Sequence, residues 1–300
     1  MPARFRAVTL YSGVDESLPS GNAGIVVALK GSNTVKLVDG AGLKVVCSDK
    51  KMTMVELIEI TDQHQRAMAN QQIPTAGNPR VFQIKAKAVP GLDKVKVEAI
   101  HTGTGKVEAT LKVLVLRERA VTISLRPTQV ANAQSKLVDF YTGPLDMQAL
   151  VDEVNKIWKP QANVVFALGK TGAVTLPGHT PDSVGANIED AALLKELKKL
   201  KDGDHFTAFF VKKAFHGRKP VKGVTDVEAG VALIGDDRSE RTLAHEAGHF
   251  LGSHGAKDKY ERTYGHQGTD QDLLMPDGAP GRRIPYDQVT DFNGGYTSKP

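Results

Sequence analysis

Over the first third of the 300-residue chain, apolar and polar positions alternate. In VFQIKAKAV (81–89), Phe82, Ile84, Ala86 and Ala88 share one side of a two-residue period, as in a half-buried strand. Pro90-Gly91 ends that run. KVKVEAI (94–100) and KVEATLKVLVL (106–116) follow it, joined by HTGTGK. IVVALKG (25–31) and NTVKLVDG (33–40) supply weaker strands before them. Short alternating strands with glycine turns roughly a dozen residues apart predict a small all-β sandwich of immunoglobulin-like (Ig-like) type. MVELIEITDQHQRAMA (54–69) suits either a helix or a strand followed by a loop. HTGTGK ends like a phosphate loop, but Ile100 stands where the first glycine belongs. Neither Ser nor Thr follows Lys106, so the segment reads as a turn.

After Arg117-Glu118-Arg119 the pattern changes. AVTISLRP (120–127) is one more strand. In GPLDMQALVDEVNKIWKP (143–160), Met147, Leu150, Val151, Val154, Ile157 and Trp158 then recur at helical spacing. Pro144 suits the first turn of that helix and Pro160 is its expected stop. NVVFALG (163–169) predicts a strand. A second helix is expected from Ile188 to Lys201, ending at Asp202-Gly203. HFTAFFVKKAF (205–215) and GVALIGD (230–236) predict two further strands. The chain thus reads as multidomain, an all-β domain over residues 1–117 followed by an α/β (α+β) domain over 118–300.

Lys and Arg number 39 against 34 Asp and Glu, a net charge of +5 and a pI near 9.1. The cations are scattered and only 6% of residues are aromatic, which argues against nucleic acid as a partner. A hydrophobic fraction of 40% is enough to build real cores. Cys47 is the one cysteine, so neither an intrachain disulfide nor a thiolate zinc cluster can form, and its expected place is inside the β domain. No stretch approaches the ~18 apolar residues of a membrane span. The first 21 residues lack the apolar core of a signal peptide. A soluble protein is expected, cytoplasmic or exported without a cleaved signal peptide, as a toxin passed through a dedicated secretion machine would be.

The candidate chemistry lies in TLAHEAGHFLGSHG (242–255). Asp237 and Glu240 have capping-box spacing, so a helix is expected to start there. On it, His245 and His249 are one turn apart on one face, from which both imidazoles can reach one metal ion. Leu243, Phe250 and Leu251 face a core. Glu246 stands beside the pair, where a general base for a metal-activated water belongs. Zinc is the default ion, since it takes imidazole readily. The bland alternative is an amphipathic helix that happens to carry two histidines. Small Ala247 and Gly248, the capped start and the preceding strand agree better with the metal site.

Gly252 extends the pattern to HExxHxxG, and DLLMPDG (272–278) follows. With these residues the chain resembles the metzincin clan of zinc endopeptidases over about residues 120–292. The resemblance implies a metzincin-like catalytic domain with one catalytic Zn2+, a helix-breaking left-handed turn at Gly252, and Met275 in a Met-turn beneath the ion. It also makes GVALIGD the edge strand that aligns an extended substrate. The full pattern places a third histidine ligand at 255, where this chain has Gly255. His266, nine residues before Met275, is the favoured substitute. His254, reached by a shortened turn, is the alternative, and Glu261 or Asp258 would be a carboxylate ligand.

His64, His101, His179, His205 and His216 lack partners at ligand spacing and read as surface or core residues. Tyr260, Tyr264 and Tyr286 are oxyanion donors by chemistry only, since no spacing selects among them. Two functions remain in view. One is a zinc endopeptidase acting on protein or peptide substrates, with Glu246 as general base. The other is a non-catalytic binding or delivery protein with a degenerate peptidase fold, supported by the missing histidine at 255. In either, the N-terminal β domain is a candidate surface for a protein partner.

Overall fold

The structure, a computed structural model, describes residues 2–9, 14–16, 18, 22–51, 54–87, 93–203, 205–253, 284 and 289–294. By its contacts the chain divides into two units. Unit 1 holds Met1–Arg119 with residues 157–164 and 283–293, and unit 2 holds the remainder.

Unit 1 is built on two sheets. One has the order β1 (Arg4–Ala7), β4 (Ser32–Val38), β7 (Arg80–Ala86), β6 (Val55–Ile60), antiparallel throughout. The other runs β2 (Val14–Asp15), β3 (Ala23–Ala28), β9 (Val107–Leu116), β8 (Asp93–His101), β5 (Leu43–Cys47). In it only the β3–β9 pair is parallel. Alternate residues of both sheets meet in one core: Phe5, Val35, Leu37, Phe82 and Ile84 from the first, Ile25, Val27, Val97, Leu111 and Val113 from the second. The face expected from VFQIKAKAV is therefore buried at Phe82, Ile84 and Ala86, while Ala88 lies outside the described residues. Cys47 is half-buried at the margin of this core.

The ambiguous segment 54–69 contains both a strand and a helix. β6 ends at Ile60, and α1 (Gln63–Gln71) starts from Asp62, whose carboxylate accepts the Gln65 amide. No residue of α1 is buried, because its sequence has no apolar stripe. The loop after α1 covers Lys36 on the outer face of β4. Its ammonium donates to Asn70 and to the Ile73 carbonyl, and burial lowers its pKa. HTGTGK is a turn, with Gly105 at φ +70 and the His101 ring accepting the Gly103 and Thr104 amides.

Residues 157–164 and 283–293 attach to unit 1 through specific bonds. The Asn293 side-chain amide donates to the carbonyls of Arg117, Ala162 and Asn163, at 3.1, 2.7 and 3.3 Å. Trp158 meets Phe292 edge to face at 5.1 Å. Trp158 belongs to α2 (Met147–Ala162), and Phe292 and Asn293 belong to α5 (Val289–Gly294). Pro160 does not stop α2, which runs on to Ala162. It sits in the last turn, where the Asn163 amide still reaches the Lys159 carbonyl. Asn163, at φ +51, ends the helix in the left-handed region.

In unit 2, β10 (Arg119–Ala131) is flanked by β11 (Leu137–Asp139), β12 (Val164–Leu168) and β13 (Val174–Thr175). The sheet continues through β15 (Phe206–Phe210), β19 (Val231–Ile234) and β18 (Gly223–Asp226). β10, β15 and β19 run parallel, and β18 closes the order antiparallel to β19. Every residue of β15 and β19 is buried, as in parallel strands covered on both faces. On one face, Phe209, Val211, Val231 and Leu233 join Leu193 and Leu197 of α3 (Ala191–Leu200). On the other, Phe206 stacks on Phe250 of α4 (Thr242–Ser253) at 5.1 Å. A small sheet of β14 (Ala186–Asn187), β16 (Ala214–His216) and β17 (Lys219–Val221) completes the unit. The run HFTAFFVKKAF is thus two strands, β15 and β16, and GVALIGD is not an edge. β19 lies inside the sheet and β18 is the edge strand, because an apolar run with no polar face must be covered on both sides.

The described molecule is mostly β structure with several sheets, and its N-terminal part is β apart from α1. None of its described helices is long and apolar enough to cross a membrane.

Candidate functional site

α4 carries the HExxH segment, and the turn before it is closed by bonds between Ser239 and Thr242. The Ser239 amide donates to the Thr242 side chain at 2.9 Å, and the Thr242 amide donates to the Ser239 carbonyl at 3.1 Å. These two bonds close the turn that precedes the helix, which begins at Thr242, later than the acidic spacing predicts. Leu243, Phe250 and Leu251 are buried as their positions require, each contributing roughly 2 kcal/mol of apolar burial. α4 continues through buried Gly252 to Ser253, and Gly252 has no left-handed φ. Ser253 is the last described residue of this segment, so the turn expected after this glycine lies at the limit of the described residues.

The remaining face of α4 borders a cleft of about 280 Å³. His245, Glu246 and His249 line it with Gly223, Val224 and Thr225 of β18, Val221 of β17 and His216 of β16. The His245 and His249 rings stand edge to face with centroids 4.9 Å apart. Two imidazoles ligating one zinc at ~2.1 Å in tetrahedral geometry have ring centroids roughly 5 Å apart. The pair therefore has the separation and the donor chemistry to share such an ion. His245 is 6% exposed and Glu246 only 3%.

The buried carboxylate of Glu246 is fixed from β18. The Thr225 hydroxyl donates to Oε2 at 2.6 Å. At Gly223, two residues away on the same strand face, a Cβ would stand 2.6 Å from Oε1. No residue but glycine fits there without moving the carboxylate. Burial pushes the Glu246 pKa from 4.5 up to about 7, and the Thr225 hydrogen bond pulls the other way. A carboxyl group poised near neutrality can take a proton and return it.

Thr225, Gly223 and His216 are the site residues that sequence reasoning missed. They reach the cleft by tertiary register, and nothing in their own spacing marks them. His216 had been assigned to surface or core. It lies on the cleft wall, its Nε2 3.0 Å from Glu189 Oε1. Among the described residues no three His, Cys, Asp or Glu side chains form a group able to hold a metal, so His216 does not join the pair as a ligand. His254, His266, Asp258, Glu261, Met275 and the three tyrosines lie outside the described residues. Of the other histidines, His179 meets the Phe140 ring edge-on, and His64, His101 and His205 are exposed.

No family model matches the chain, and no curated protein matches it. Among solved structures, a 2,6-sialyltransferase from Photobacterium is 10% identical, with a TM-score of 0.21. The match covers 63% of this chain and 35% of that one, so the chain spans about a third of that protein's length.

Proposed function

We propose that the chain is a zinc-dependent endopeptidase whose catalytic domain is of metzincin type. The observation that carries this reading is the joint lining of one cleft by His245, Glu246, His249 and the antiparallel edge strand β18. His245 and His249 are two of the zinc ligands, and His266 or else His254 is the third. Zinc, when bound, supplies Lewis acidity that polarises a carbonyl and acidifies water. Glu246 removes the proton from the attacking water onto its carboxylate and passes it to the leaving amine. Thr225 holds that carboxylate in place. β18 offers main-chain hydrogen bonds to an extended substrate, the role first assigned to GVALIGD.

The first unit is an Ig-like sandwich in this reading. Its sheet orders, β1-β4-β7-β6 and β2-β3-β9-β8-β5, are compatible with the ABED and GFC arrangement of immunoglobulin sheets, with β2 and β3 as two added strands beside β9. Its exposed faces are where a protein partner would bind.

The test combines metal analysis with a quenched-peptide library. One zinc per chain is expected, with hydrolysis that Glu246→Gln abolishes while zinc stays bound. Stoichiometric zinc without hydrolysis of any peptide would favour the non-catalytic binding or delivery protein.

A further inference from the structure

The segment KKAFHGRKPVK (212–222) carries Lys212, Lys213, Arg218, Lys219 and Lys222 and no acidic residue. All five cations are exposed, and none pairs with a carboxylate among the described residues. Neighbouring acids have other bonds. Glu189 faces His216, Asp236 accepts the Thr142 amide and hydroxyl, and Asp226 accepts the Ala229 amide.

The hairpin β16–β17 carries Arg218 at its turn and Lys219 on one face. His216 and Lys219 flank a two-residue turn with Gly217 at φ +62, a conformation open to glycine, and Asn187 anchors the Gly217 amide at 3.1 Å. His216 pairs with Lys219 and Ala214 with Val221. Cross-strand partners share a face of the ribbon, and alternate residues of a strand do too. His216 and Val221 both line the cleft, so Lys219, the cross-strand partner of His216, shares that face of the ribbon. From Val221 the chain runs through Lys222 directly into β18, the strand that borders Glu246.

We infer that the cleft selects peptides with acidic residues next to the segment that pairs with β18, the cationic β16–β17 hairpin being the selecting wall. The inference rests on the peptidase reading for the site and adds its substrate class. A strand laid along β18 advances about 3.3 Å per residue, so several of its side chains pass the hairpin. Exposed ion pairs are each worth a few-fold in affinity, and two or three together give roughly tenfold. Attraction of this kind is screened beyond about 10 Å at 0.1 M salt. A peptide is favoured over nucleic acid because the cations adjoin β18, the last strand of its sheet among the described residues, and Phe215 is the single aromatic residue among them.

The experiment uses the full chain with Glu246→Gln, so that binding is measured without turnover. Three fluorescein-labelled decapeptides, identical except for Glu, Ser or Lys at four positions, are titrated by fluorescence anisotropy. The Glu peptide should bind roughly tenfold more tightly than the Lys peptide, and 0.5 M salt should remove most of the difference. Adding Arg218→Glu and Lys219→Glu should abolish the preference with the melting temperature kept. Equal affinity for the three peptides, a preference that survives the charge reversal, or tighter binding of a single-stranded oligonucleotide of equal charge would overturn the inference. Hydrolysis by the unsubstituted chain is scored separately. Cleavage without acidic preference sinks this inference alone, whereas acidic preference without cleavage sinks only the peptidase reading.

Discussion

The Thr225 hydroxyl donates to the Glu246 carboxylate across 2.6 Å, joining two residues 21 apart in sequence. The proposed general base is thereby oriented by the same strand that would align the substrate. Thr225→Val keeps the side-chain shape and removes the donor, leaving a buried oxygen unsatisfied at a cost of about 1–3 kcal/mol. Turnover should fall about tenfold or more with little change in KM, and Thr225→Ser should restore it. Steady-state kinetics on the two variants separate this positioning role from a general loss of folding.

Gly223→Ala places a methyl group 2.6 Å from Glu246 Oε1 and 2.8 Å from Thr242 Cγ2. Relief requires the carboxylate or the strand to shift, and overpacking of this kind typically costs 1–3 kcal/mol. Denaturant unfolding should show that loss, and hydrolysis should drop further than the loss of stability accounts for.

Glu246 also predicts how the metal-free protein responds to pH. Its folded pKa of about 7 lies above the 4.5 of the free side chain, so the folded state holds the extra proton between those values. Stability is therefore greatest below pH 4.5 as far as this group is concerned, and declines as pH rises through about 7. The full effect is roughly 3 kcal/mol at most. Melting curves of metal-free protein across pH 4–8 should carry this slope, and Glu246→Gln should remove it.

The third-ligand proposal turns on two alanine variants. His266→Ala is expected to lower zinc affinity by orders of magnitude and His254→Ala to change it little, because zinc left with two imidazoles is under-coordinated. Zinc competition with a chelator decides between them, and the opposite pattern would assign the ligand to His254.

Asn293→Ala removes three hydrogen bonds from a buried side chain at once. A destabilisation of about 1–3 kcal/mol is expected, because the Arg117, Ala162 and Asn163 carbonyls lose a shared donor. A fragment of residues 1–119 lacks that donor too, and should melt below the same unit in the full chain. Circular dichroism of both would check this.

The histidine pair was legible because four residues of helix carry two side chains to one face, whatever surrounds the helix. The sandwich core was legible at Phe82, Ile84 and Ala86 for the matching reason, a two-residue period with one wet side. Long-range register has no such local signature. Gly223 and Thr225 look like ordinary loop residues until β18 is laid against α4, and His216 becomes a cleft residue only when its hairpin folds beside them. β19 was taken for an edge although VALI has no polar position, which in physical terms marks an interior strand. At the start of α4, acidic spacing points to Asp237 and Glu240, while the preceding turn is closed by bonds between Ser239 and Thr242.

Ala162 and Asn293 are 131 residues apart, and a ribosome adding about 5–20 residues each second needs on the order of ten seconds to cover that interval. The strands of the first unit are made early, yet the Asn293 amide that joins the carbonyls of Arg117, Ala162 and Asn163 is made only after that interval. Through that interval the nascent sandwich has to persist as a partly finished body. Its exposure to aggregation or to chaperones is set by elongation rate as much as by its own stability.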